Sequence, residues 1–122
     1  MARTTLTPVE AVQDSNVSAK EATVGTAIAD LVTDGAAVAM EKDDKILLIV
    51  KNTVADTDKD VTIKAGAYFR SGIGDLTVTV AQASGEQIIG PLESARFKQT
   101  DGKIYIDFAA AMTGYIRAIK LP

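Results

Sequence analysis

The fold is decided by residues Ala95–Phe108, which read ARFKQTDGKIYIDF. The pair Asp101-Gly102 predicts a tight hairpin turn, because glycine tolerates a positive φ and aspartate hydrogen-bonds to nearby backbone. After this turn the chain alternates, so that Ile104, Ile106 and Phe108 share one side of an extended strand and polar residues share the other. The stretch therefore predicts a strand with one face in a hydrophobic core.

The same alternation recurs at residues 61–65, 76–80 and 115–121. Between Lys45 and Lys51 lies the uninterrupted apolar run ILLIV, which predicts a central strand covered on both faces. Residues 24–32 are also interpreted as extended. About seven or eight short strands at near-regular spacing predict an all-β fold, either an antiparallel β-sandwich or a jelly-roll-like barrel.

Residues 1–23 differ from the rest, because they are rich in Thr, Ser, Asn and Asp and carry apolar residues only at intervals. We expect an extended N-terminal arm over residues 1–23 and a single β domain over residues 24–122. Two interpretations of the arm stay open: it lies on its own domain, or it orders against a neighbouring subunit. In the second, the predicted contact residues of the arm are Thr4, Leu6, Pro8, Val9 and Val12.

The composition excludes several functional classes. The chain contains no cysteine and no histidine, which excludes Ser-His-Asp and Cys-His catalysis within it. The net charge is −3 and the basic residues are scattered, whereas nucleic-acid binding normally needs a concentrated positive surface. No apolar segment approaches the roughly 20 residues that a membrane helix needs. We therefore expect no enzymatic activity, no nucleic-acid partner and no membrane association.

Two motifs begin like binding loops and then depart from the pattern. Residues 56–60, DTDKD, open like a calcium loop, but Val61 and Ala67 stand where the turn glycine and the bidentate glutamate belong. Residues 72–74, GIG, begin like a dinucleotide fingerprint, but a predicted strand follows instead of a helix. We therefore predict no metal site and no cofactor.

The aromatic residues are expected in the core or at its edge, with a role as interface anchors as the alternative. Tyr105 is the strongest interface candidate, because its strand position is opposite to that of Ile104 and Ile106. The aromatic residues are Tyr68, Phe69, Phe97, Tyr105, Phe108 and Tyr115.

Two blocks of the chain carry a resemblance to a known family. The first block is LIVKNT at 48–53 followed by VTIKAG at 61–66; the second is GPLE at 90–93, RFKQ at 96–99, DGKIYIDF at 101–108 and IRAIKLP at 116–122. The opening MARTTLTP fits as well. Together they resemble small head-associated proteins of tailed bacteriophages that decorate or cement a capsid.

The resemblance implies a β-rich domain on the outside of an icosahedral shell, often a trimer at local three-fold positions, with the major capsid protein as its partner. It carries over no catalytic residues. Since the first residues lack the apolar core of a secretory signal, we expect synthesis in the host bacterial cytoplasm and a final location on the virion. Two alternatives stay open: a tail or head-tail joining component, and a module that binds carbohydrate on a host surface.

Overall fold

The computed structural model describes residues 3–16, 25–41 and 43–122. Within these ranges two β-sheets pack face to face, and neither closes into a barrel. The all-β prediction is confirmed, and of its two alternatives the structure is the sandwich. Residues 1–2 and 17–23 of the predicted arm, and Val24 of the predicted extended segment, lie outside the described residues.

The strands divide between the sheets as follows. The first sheet has the order β1 (Thr4–Leu6), β4 (Ala36–Ala39), β9 (Lys103–Phe108), β6 (Lys59–Ile63) and β7 (Leu76–Val80). The second has the order β2 (Val9–Glu10), β10 (Gly114–Lys120), β5 (Ile46–Asn52) and β8 (Gly85–Ile89), and β3 (Thr26–Ala27) also pairs with β10. The short helix α1 covers Ser94–Phe97.

Both sheets are mixed, whereas the sequence predicted antiparallel pairing throughout. The exceptions are the two N-terminal strands, because β1 runs parallel to β4 and β2 runs parallel to β10. The remaining pairs are antiparallel, and the longest of them joins β5 to β10 from Ile46↔Lys120 to Asn52↔Gly114. Alternation within single strands did not reveal the parallel pairs, because the direction of a neighbouring strand leaves no trace in that pattern.

The hydrophobic core lies between the sheets and follows the predicted alternation. In β9, Ile104 and Ile106 are fully buried and Phe108 is nearly so. β5 lies between β10 and β8, as expected for a central strand. Only one of its faces is fully buried, however, and Leu47 and Ile49 on the other face are half-buried. The predicted cover of both faces of β5 is therefore only partial among the described residues.

Two local predictions differ from the structure. Residues 26–30 begin as the two-residue strand β3 but continue as a 3-10 helix over Ile28–Asp30. The predicted hairpin is short, because the chain before the turn forms α1 and contributes only an isolated bridge between Lys98 and Ile104. The turn itself is as expected, with Gly102 at a φ of +83°.

Candidate interaction surfaces

The described part of the N-terminal segment lies against its own domain and connects the two sheets. The backbone N–H of Thr4 donates to the Gly35 carbonyl at 3.2 Å, and that of Ala11 donates to the Lys120 carbonyl at 2.8 Å. Leu6 is buried in the core. The sequence left open where this segment lies, and the structure places residues 3–10 along both sheets.

The five predicted contact residues of this segment differ in their exposure. Leu6 is buried, Pro8 and Val9 are half-buried, and Thr4 and Val12 are exposed. Val12, at 60% exposure, is therefore the most accessible apolar residue of the five. Contact of these residues with a capsid or a neighbouring subunit stays a prediction.

Tyr105 lies on the outer face of the first sheet beneath Arg3. The Arg3 guanidinium lies 4.6 Å from the centre of the Tyr105 ring, and its Nη1 donates to Asp107 Oδ1 at 2.5 Å and to the Ile106 carbonyl at 3.1 Å. The Tyr105 hydroxyl donates to Asp101 Oδ2 at 2.5 Å. That hydrogen bond raises the pKa of Tyr105 and lowers the pKa of Asp101. Tyr105 is thus half-buried and already bonded within its own domain, and its role in an interface stays a prediction.

Among the described residues, three of the five exposed large hydrophobic side chains lie in the loop over residues 67–74, here called the apolar loop, which contains a 3-10 helix over Phe69–Ile73. Phe69 is 89% exposed, Ile73 is 54% exposed and Tyr68 is 47% exposed. The expectation that Tyr68 and Phe69 belong to the core or its edge is wrong. The sequence feature that indicated exposure was the loss of alternation after Gly66. Residues outside a strand do not belong to a sheet face that would direct their side chains into the core.

The backbone of the apolar loop is fixed to α1 and to the residues after it. The N–H of Gly66 donates to the Arg96 carbonyl at 2.7 Å, and the N–H of Ala67 donates to the Lys98 carbonyl at 3.0 Å. A β-carbon at Gly66 would collide with the backbone at residues 97–98, so glycine permits this close approach. On this fixed backbone most side chains of the loop are exposed.

Charged side chains secure the apolar loop at several points. Arg70 Nε donates to Glu93 Oε1 at 2.6 Å, and Arg96 Nε donates to the Gly74 carbonyl at 3.1 Å. Asp75, which follows the loop, accepts from the Ala65 N–H at 2.6 Å and from Lys64 Nζ at 2.9 Å. These bonds hold three exposed apolar side chains on a defined frame, an arrangement typical of binding surfaces.

The acidic stretch that opens like a calcium loop is engaged in hydrogen bonds of its own. Asp58 accepts from the backbone N–H of Gln82 at 2.9 Å, and Asp60 accepts from the Thr79 hydroxyl at 2.7 Å. In residues 3–16, 25–41 and 43–122, no three aspartates or glutamates gather in a group that could hold a metal ion. These carboxylates connect loops and strands.

The helices of the described ranges are three to five residues long. None of them is both long and apolar enough to cross a membrane.

Comparisons of the chain with protein-family models, with curated proteins and with solved structures find no match.

Proposed function

We propose that this protein is a non-enzymatic structural component of a tailed bacteriophage, which binds the outer surface of the capsid and stabilises contacts between major capsid protein subunits. The resemblance of residues 48–66 and 90–122 to capsid decoration proteins supports the proposal. A two-sheet scaffold with a well-packed core suits this role, because a clamp between subunits requires a rigid frame and accessible contact surface.

The observation that carries the proposal is the apolar loop. Burying a side chain such as Phe69 at an interface contributes about 1.5–3 kcal/mol, before the cost of ordering is subtracted. Tyrosine is also among the residues that dominate binding energy at interface centres. Because the loop is secured by backbone and ionic contacts before binding, little ordering cost remains.

Multiple copies on one shell strengthen a modest contact. When neighbouring molecules are associated, as in the trimer that the resemblance implies, the binding of one copy raises the effective concentration of the next. In this proposal Thr4 and Val12, the exposed members of the five predicted contact residues, supply a second contact beside the loop. The partner is the major capsid protein, and no cofactor takes part.

The test is co-sedimentation of the purified protein with expanded capsids that lack it. We expect Phe69→Ser to weaken binding by about tenfold or more, as expected for the loss of an apolar anchor. The control is Ile88→Ser, which changes another exposed apolar residue, 68% exposed against 89% for Phe69, on strand β8. Equal binding by both variants, or no binding by the wild-type protein, would contradict the proposal.

The alternatives are separated by location and by ligand. Electron microscopy of labelled particles distinguishes the capsid surface from a tail or a head-tail joint. Clear hits on a glycan array would favour a carbohydrate-binding module. The chain contains no tryptophan and few aromatics to stack on sugar rings, so we expect no such hits.

A further inference from the structure

Strand β7 forms one end of the first sheet. It pairs with β6 from Lys59↔Val80 to Ile63↔Leu76, and within the described residues no strand pairs with its other side. An open strand edge presents a row of backbone donors and acceptors to any strand that approaches. The edge of β7 is therefore available for pairing.

The core-facing side chains of β7 are also incompletely buried. Leu76 and Val78 share the core-facing side with Val61 and Ile63 of β6, as their register requires. Val61 and Ile63 are fully buried, whereas Leu76 and Val78 are only half-buried. Among the described residues, the apolar side chains at this edge of the core are therefore partly exposed to solvent. A further strand beside β7 would bury more of their surface.

The sequence of β7 lacks the features that usually protect an edge. It reads LTVTV, with no charge, proline or glycine, and consists of residues with high strand propensity. It is also nearly palindromic about Val78, since a threonine lies on each side and a large aliphatic residue lies beyond each threonine. Such symmetry is what antiparallel pairing with an identical strand requires.

We propose that β7 pairs antiparallel with β7 of a second copy about a two-fold axis at Val78, which joins the first sheets of the two molecules into one continuous sheet. In this register Thr77 lies opposite the partner's Thr79, and Leu76 lies opposite the partner's Val80. Cross-strand Thr–Thr pairs and aliphatic pairs both stabilise antiparallel strands. A two-fold contact uses the same edge on both copies, so it closes at a dimer and does not grow into a fibre.

The threonine hydroxyls fit this register. Thr79 donates its hydroxyl hydrogen to Asp60 Oδ1, which leaves the oxygen free to accept a further hydrogen bond. The Thr77 hydroxyl has no hydrogen-bond partner among the described residues, so it supplies the matching donor. The two-fold axis creates this donor–acceptor match twice. An unrelated partner strand would gain nothing from the symmetry, which is why we assign the edge to a second copy.

The absence of cysteine allows a test of the register by cross-linking. Directly opposite residues of antiparallel strands approach closely enough for a disulfide, whereas diagonal residues lie about 7–8 Å apart. We expect an equal mixture of Thr77→Cys and Thr79→Cys chains, oxidised with copper-phenanthroline, to form predominantly the mixed dimer. Either variant alone should cross-link severalfold less. Thr100→Cys, at an exposed threonine in a loop, measures collisional cross-linking.

A cysteine-free experiment provides the second measurement. Sedimentation velocity should show that the wild-type protein forms a species of twice the mass of its smallest assembly, which rises with concentration and is lost in Thr77→Lys, because a lysine on an edge strand opposes pairing. Thr77 is exposed, so circular dichroism should show an unchanged fold. A mixed-dimer yield no higher than that of Thr100→Cys, or a doubling of mass that Thr77→Lys leaves intact, would overturn the proposal. Neither measurement uses capsids, so neither outcome bears on capsid binding.

Discussion

At the scale of single residues, the contact between Gly35 and Arg3 shows how the N-terminal segment is seated. Gly35 has a φ of +77°, and a β-carbon there would collide with the Arg3 guanidinium and approach the Ile106 carbonyl to 2.8 Å. The same carbonyl accepts a hydrogen bond from Arg3. Glycine thus leaves room for an arginine that joins the start of the chain to β9.

This contact predicts that Gly35→Ala destabilises the protein by about 1–3 kcal/mol, because a side chain at positive φ is strained and Arg3 must move. Urea unfolding measures the change. The matched control is Gly72→Ala, where a β-carbon would meet nothing within 4 Å and φ is not positive. We expect this control to be neutral or slightly stabilising. Equal losses in the two variants would contradict the account.

A second prediction at this scale concerns Asp75. The Ala65 N–H, and then Lys64, lower the pKa of Asp75 below its ordinary 3.8. Since this pKa is lower in the folded state, Asp75 contributes stability above the ordinary value, and the contribution is lost as the pH falls through the lowered one. The carboxylate is partly exposed, so the contribution is modest. Lys64, whose pKa is raised by Asp75, contributes instead below 10.5.

We therefore expect Asp75→Asn to be less stable than the wild type near neutral pH and to lose less stability on acidification from about pH 5 to about pH 2. Urea unfolding across this pH range provides the measurement. An unchanged acid dependence in the variant would mean that the Asp75 hydrogen bonds contribute nothing to stability.

At the scale of elements, the N-terminal segment combines residues that serve the fold with residues that are free to bind. Leu6 at the end of β1 is buried, so Leu6→Ala should cost about 2–3 kcal/mol in urea unfolding.

Val12 is exposed, so Val12→Ser should change stability by less than about 0.5 kcal/mol. If the proposed function is correct, Val12→Ser nevertheless weakens capsid binding. If Leu6→Ala lowers stability but Val12→Ser leaves capsid binding unchanged, the segment has only a structural role.

Sequence periodicity predicted single elements well where one face meets the core. Strands β7, β9 and β10 were visible because their apolar residues recur at every second position. Periodicity failed at residues 94–97, where a few residues before a turn form a helix, and in the apolar loop, where aromatic character suggested burial. In both places contacts distant in the sequence determine the conformation, and a local pattern contains no record of them.

At the scale of the whole molecule, the candidate binding surfaces could not be read from single strands. The apolar loop is a surface because hydrogen bonds to α1 and the residues after it direct it outward, and the β7 edge is open because of the strand order. The sequence contained the residues of both surfaces but did not show which other residues lie beside them in the fold. Strand alternation was sufficient for the fold class, whereas sheet order was needed to find the surfaces.

The three-fold association and the β7 contact would act together on a shell. A three-fold association, as the resemblance implies, and a two-fold contact through β7 are different symmetry operations, so one molecule can take part in both. Neighbouring trimers would then be connected to one another as well as to the capsid beneath.

The position of β10 has a consequence for biosynthesis. Residues 114–120 lie between β2 and β5 in the second sheet, although they are translated after the other described strands. When the ribosome has reached residue 113, the second sheet therefore still lacks β10, and the edge of β5 that pairs with β10 is unpaired. Completion of the fold must wait for the emergence of β10, and a premature stop codon before it would release an aggregation-prone fragment.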